Sequence, residues 1–189
     1  MKKSFIYAGK LLLICAVATL VLAFTNSKTA PVITERQKQE TIAAYKNVYP
    51  GAEEITPVED TSLLNDNIKE IQEVKVNGQV DGYAMNVQSP SGYGGPVNFV
   101  IGVKNDGTVM GFQVITQSET QGFGAVVADP GYAESMHGAI LKSEVKAGDA
   151  AGENTIPAIS GATRTTNAVV GGINAVNSVL SQLIGSEAK

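Results

Sequence analysis

The stretch "VKVNGQVDGYAMNV", from Val74 to Val87, decides the fold class. Val74 and Val76 precede Asn77-Gly78, and Val80, Tyr83, Met85 and Val87 follow it, so apolar residues take a strand-like, alternating pattern on both sides of a two-residue turn. Asn-Gly suits that turn because both residues tolerate the positive φ that a tight hairpin requires. The pattern predicts a hairpin. A second one follows downstream, where "VNFVIGVK" (97–104) and "TVMGFQVIT" (108–116) flank Asn105-Asp106-Gly107, again residues that accept positive φ. Together these segments predict four antiparallel strands in a meander, a sheet that buries one face and needs a cover.

The C-terminal segment supplies that cover. Val169, Ile173, Val176, Leu180 and Leu183 recur at spacings of four and three, which places them on one face of a helix. Gly171 and Gly172 interrupt its composition, each costing about 1 kcal/mol relative to Ala inside a helix. Two explanations stand for them: close approach by another backbone or a ligand, or an irregular helix start. The expected class is therefore α+β, an antiparallel meander packed by helices.

Upstream, "FIYAGKLLLICAVATLVLAF" (5–24) follows Lys2 and Lys3 and is nearly all apolar. At about 1.5 Å per residue, roughly 20 helical residues cross the ~30 Å hydrocarbon core. A retained transmembrane helix and a cleaved signal peptide both fit, and the length favours the anchor. The expected layout is a cytoplasmic N-terminus at 1–4, a span at 5–24, a linker at 25–33 and an extracytoplasmic domain at 34–189. Within that domain Thr34 with Gln37 makes a capping-box pattern, and Ile42, Tyr45 and Val48 give the helix it opens a narrow apolar stripe that Pro50-Gly51 ends.

Composition removes several functions. The 189 residues carry a net charge of -4 with no basic block, which argues against nucleic-acid binding. Cys15 is the only cysteine, so neither an intramolecular disulfide nor a CxxC redox pair can form, and redox chemistry would need a cofactor. His137 alone supports neither a metal site nor a hydrolytic triad. It reads as a surface or half-buried helix residue. Glu53, Glu54, Glu59 and Asp60 read as a solvated face. No catalytic or metal-ligating residue is assigned.

The chemistry concentrates in "SGATRTTNAVVGG", Ser160 to Gly172. Hydroxyl residues before an apolar helical stripe are ordinary helix caps. The same N-terminus is also an anion site, where Thr165, Thr166 and Asn167 could meet a phosphate and Arg164 could add a charged bond. Residues alone leave both readings open.

The order Ser160-Gly161-Ala162-Thr163-Arg164-Thr165 resembles the Ser/Thr-Gly-Ala-Thr-x-Ser/Thr motif of proteins that carry FMN as a phosphoester on the last hydroxyl. "SGYGGPV" (91–97) and "SETQGFG" (118–124) resemble two further glycine-rich loops of that family. With the N-terminal span, the chain is similar over most of its length to the flavin-binding G subunit of Rnf ion-translocating electron-transport complexes, a family related to the C subunit of the sodium-pumping NADH:quinone reductase. Pro157 stands where many members have an acidic residue. The resemblance implies covalent FMN on Thr165, within the run Ser160, Gly161, Ala162, Thr163, Arg164 and Thr166. Two readings stand for each of the other loops: Tyr93 could cover a ring face, or Gly92, Gly94, Gly95 and Pro96 simply connect two strands with Tyr93 on the surface; Glu119 and Thr120 could bond the flavin edge, or lie in a solvated turn. It further implies a flavin transferase for maturation, other membrane subunits as partners, and an electron relay between ferredoxin and NAD without turnover of its own. A single-pass protein with its C-terminal domain on the outer face is expected. Two alternatives remain at this point: a stand-alone flavin reductase or electron shuttle, and an anchored binding module without flavin.

Overall fold

The structure is a computed structural model that describes residues 2–187; Met1, Ala188 and Lys189 lie outside the described residues. Two compact units are present, 1–39 and 40–189.

The first unit is helical, the greater part of α1 (Lys2–Asn47). Leu11, Leu12, Leu13, Leu20, Leu22 and Phe24 are each more than 60% exposed along it. An apolar run of this length with no protein cover fits a lipid environment. The stretch 25–33, expected as a linker, is helical instead. Its hydroxyls bond back to the preceding turn, Thr29 Oγ1 to the Thr25 carbonyl at 3.0 Å and Ser27 Oγ to the Phe24 carbonyl at 2.7 Å, so they do not pull the chain out of the helix. Thr34 likewise bonds the Ala30 carbonyl at 3.0 Å from mid-helix and caps nothing.

The second unit begins at the end of α1 and continues through a five-stranded antiparallel sheet in the order β1 (Glu54–Pro57), β2 (Ile68–Val76), β3 (Gln79–Ser89), β4 (Val97–Lys104) and β5 (Val109–Thr116). The four strands expected from the sequence are present and consecutive, and β1 adds an edge. The β2–β3 turn has the predicted chemistry, with Asn77 at φ 52° and Gly78 at φ 73°. Beyond the sheet come α2 (Pro130–Ser135), a parallel pair of short strands, β6 (Lys146–Gly148) and β7 (Thr155–Pro157), and α3 (Thr163–Glu187).

One sheet face carries Ile71, Tyr83, Met85, Val87, Phe99 and Ile101 into a core with the α3 stripe, of which Val169, Ile173 and Val176 are fully buried. That packing makes α3 a core helix, although its length and hydropathy alone would let it cross a membrane. The other face is covered too, which the alternation did not reveal. The end of α1 lies on it, burying Ala44, Tyr45, Val48 and Tyr49 against Val74, Ala84 and Val100. Ala84, Gly102 and Gly111 face one another across β3, β4 and β5. A Cβ on Gly111 would stand 2.6 Å from the Val48 carbonyl oxygen, and one on Gly102 would strike the same atom. This row of small residues is the seat of the helix end. Ile42, expected in the buried stripe, is instead 53% exposed.

Candidate functional site

Antiparallel order fixes where the three glycine-rich segments meet. β3 ends at Ser89, β4 begins at Val97 and β5 ends at Thr116, so the loops 90–96 and 117–123 leave the sheet at the same end, opposite the Asn77-Gly78 turn. The first turn of α3 packs against that end. Together they enclose a cleft of about 500 Å³ lined by Tyr93, Glu119, Thr120, Phe123, Gly124 and the run Gly161 to Thr165. Its volume falls in the ~300–1,000 Å³ range of small-molecule sites.

Eight of the ten residues singled out from the sequence line this cleft: Tyr93, Glu119, Thr120, Gly161, Ala162, Thr163, Arg164 and Thr165. Ser160 and Thr166 do not. Thr166 is 2% exposed; its Oγ1 accepts from Ile159 N at 3.0 Å and donates to the Ala162 carbonyl at 3.1 Å. The hydroxyl cluster therefore divides its labour. Thr166 fastens the turn before α3 from inside the helix, not as a cap, and Thr165 is left facing the cleft.

Thr165 Oγ1 donates to Glu119 Oε2 at 2.5 Å, and both residues are buried. Glu119 Oε1 accepts from the Gly94 amide at 3.0 Å, and the Glu119 amide donates to Gln117 Oε1 at 2.5 Å. One carboxylate thus ties the loop 90–96 to the first turn of α3, near the positive end of the helix dipole. Glycines permit this closeness. A Cβ on Gly124 would strike Thr165 Oγ1 and stand 2.5 Å from Glu119 Oε2; one on Gly92 would stand 2.6 Å from Glu119 Oε1. Gly161, at φ 73°, turns the chain into α3 in a conformation that a Cβ would strain.

Tyr93 and Phe123 are the exposed aromatics of the cleft, at 68% and 55%. The glycine pattern of its loop does not single out Phe123; a large apolar residue between Gly122 and Gly124 is the signal that marks it. A Cβ on Gly161 would lie 3.4 Å from the Phe123 ring, so the ring sits over the motif itself. Arg164 is exposed at the rim. His137 is exposed and Pro157 lies in β7, both outside this cleft.

Residues 92–178 match the family model of an FMN-binding domain. The chain is 36% identical over 177 residues to the G subunit of the Na(+)-translocating ferredoxin:NAD(+) oxidoreductase complex of Acetobacterium woodii, covering 87% of this chain and 85% of that protein. It is 29% identical to the G subunit of the ion-translocating oxidoreductase complex of Methanosarcina acetivorans, covering 91% and 92%. The fold is similar to the crystal structures of Shewanella oneidensis NqrC and of the C subunit of the Na(+)-translocating NADH-quinone reductase of Parabacteroides distasonis, each with a TM-score of 0.54 at 18% identity. Those structures cover 75% and 78% of this chain, and 74% and 95% of their own.

Proposed function

This chain belongs to the G-subunit family of ion-translocating oxidoreductase complexes and contains its FMN-binding domain, and from that premise we propose that it carries FMN covalently, as a phosphoester on Thr165. It is a redox subunit of a membrane-bound complex and has no turnover of its own. A bound flavin supplies one- and two-electron transfer, while the protein contributes position and electrostatics.

The observation that carries the covalent reading is the state of the Thr165 hydroxyl. It lies at the wall of a cleft large enough for a cofactor, and its hydrogen bond goes to a carboxylate rather than back to its own helix. The surroundings fit a flavin phosphate. Thr165 lies in the first turn of α3, where backbone N–H groups lack intrahelical partners, and Arg164 stands at the rim to balance negative charge. Tyr93 and Phe123 offer aromatic faces for a ring system, Glu119 and Thr120 offer polar contacts, and Gly161, Ala162 and Thr163 line the same cleft as the hydroxyl.

The helical segment 5–24, exposed from Ile6 onward, anchors the protein in the membrane, with 1–4 on the cytoplasmic side and the flavin domain on the outer face. Lys2, Lys3 and Lys10 at the start support that orientation. The partners are the other membrane subunits of the complex, and a flavin transferase installs the cofactor.

Thr165→Val tests the assignment. Expressed with the transferase, the full-length variant should fold and lose the fluorescence that survives denaturing electrophoresis, while Thr165→Ser should keep it. Undiminished covalent flavin on T165V would overturn the assignment.

A further inference from the structure

Glu119 is held at three points, none of them a cation. Oε2 accepts from Thr165 Oγ1, Oε1 accepts from Gly94 N, and the backbone N–H is fixed by Gln117. A buried carboxylate is costly unless its hydrogen bonds are met. Here one of its partners is the very hydroxyl that has to lose a proton to become a nucleophile, and Gly92 and Gly124 leave no room for a Cβ beside the pair.

Resting on the reading of Thr165 as the flavin-bearing residue, we propose that Glu119 is the proton acceptor in its modification, so that the acceptor domain supplies its own base. FMN alone is a poor donor, because its phosphorus would have to expel hydroxide. A flavin dinucleotide provides an activated phosphoanhydride. Thr165 Oγ1 forms a bond to the phosphorus on the riboflavin side, the anhydride P–O bond breaks, and a nucleoside monophosphate leaves. The Thr165 proton passes to Glu119 Oε2, and no electrons change hands. The product phosphodiester is an anion beside Glu119, so the proton that the carboxylate has accepted also keeps two negative charges from facing each other. Thr165 and Thr163 differ in this respect: Thr163 is exposed, and the hydroxyl bonded to Glu119 belongs to Thr165.

The test is the initial rate of covalent labelling of the detergent-solubilised full chain by a flavin transferase and flavin adenine dinucleotide, read as intact mass at several pH values. The ratio of variant to wild-type rate cancels the transferase's own pH dependence. Glu119→Gln should label about 100-fold more slowly near neutral pH, and the ratio should rise with pH as hydroxide replaces the missing base. An E119Q rate equal to wild type with a flat ratio overturns the proposal. Thermal unfolding checks the fold of E119Q; if it fails, E119A is read with added formate. Labelling that recovers in proportion to formate is then expected, and its absence overturns the proposal. Wild-type protein that takes no flavin overturns the underlying reading of Thr165, whereas labelled wild type with an indifferent E119Q overturns the role of Glu119 alone.

Discussion

Gly172 lies against Phe99 so closely that a Cβ on it would stand 2.8 Å from Cζ of the ring and 3.0 Å from Val87 Cγ1. Phe99 cannot readily withdraw, because it is fully buried and its ring packs on Phe112 with centroids 4.9 Å apart. The glycine therefore sets how near α3 comes to the sheet, and hence where Thr165, two turns earlier, stands relative to the loops.

Its neighbour Gly171 is exposed with nothing within 4 Å of a Cβ position. The two glycines should respond to alanine with opposite signs. Gly171→Ala should raise stability by about 1 kcal/mol through helix propensity. Gly172→Ala should lower it, since overpacking of about 1–3 kcal/mol outweighs the same gain. Chemical denaturation of both variants decides it; equal shifts would contradict the packing described.

Gly124→Ala should leave the core intact and disrupt the Thr165–Glu119 pair, because its Cβ would strike the hydroxyl. Displacing a reacting group by about 1 Å costs on the order of 100-fold in rate. Covalent labelling of G124A should fall by that factor, with a lowered thermal midpoint but a still cooperative unfolding transition. Labelling at the wild-type rate would mean that the cleft tolerates a methyl group there.

The end of α1 is pinned to the sheet by two phenols. Tyr45 donates to Glu70 Oε2 at 2.6 Å and Tyr49 to Asp81 Oδ2 at 2.7 Å. Burial first, and then these carboxylate partners, push both hydroxyls well above their ordinary value of 10.0. Burial alone pushes Tyr132 up to about 12. Because the folded state keeps these phenols neutral, their contribution is complete below pH 10 and is lost as pH rises further. Denaturation at rising pH should show stability falling above 10, and the double variant Y45F/Y49F should fall less steeply while losing about 1 kcal/mol per hydrogen bond at neutral pH. An unchanged slope in the double variant would contradict this.

What the sequence disclosed follows from how local each signal is. β2 to β5 and the α3 stripe were legible because alternation and a spacing of four and three are read within a few residues. Strand β1 was not: four residues ending in Pro57 carry no period, and pairing with Lys75 through Gln72 is what makes them a strand. The covered second face was equally hidden, since Ala84, Gly102 and Gly111 become a row only once the register aligns them. Residues 25–33 misled because Thr, Ser and Pro suggest a break, whereas the hydroxyls bond within the helix and Pro31 is accommodated in it.

The site divides in the same way. Thr165 and Glu119 were each named from their own motifs, but their hydrogen bond spans 46 positions and needs the meander to bring β5's exit beside α3. Thr166 looked equivalent to Thr165 in sequence. Only the folded turn assigns it to Ile159 and Ala162.

The bond between Thr165 and FMN is open to one decisive measurement, the intact mass of the denatured full-length protein made in a host with an active flavin transferase. The protein should gain the mass of one FMN less one water, with the modified fragment containing Thr165. An unmodified mass, in cells where a known acceptor protein is labelled, would contradict it.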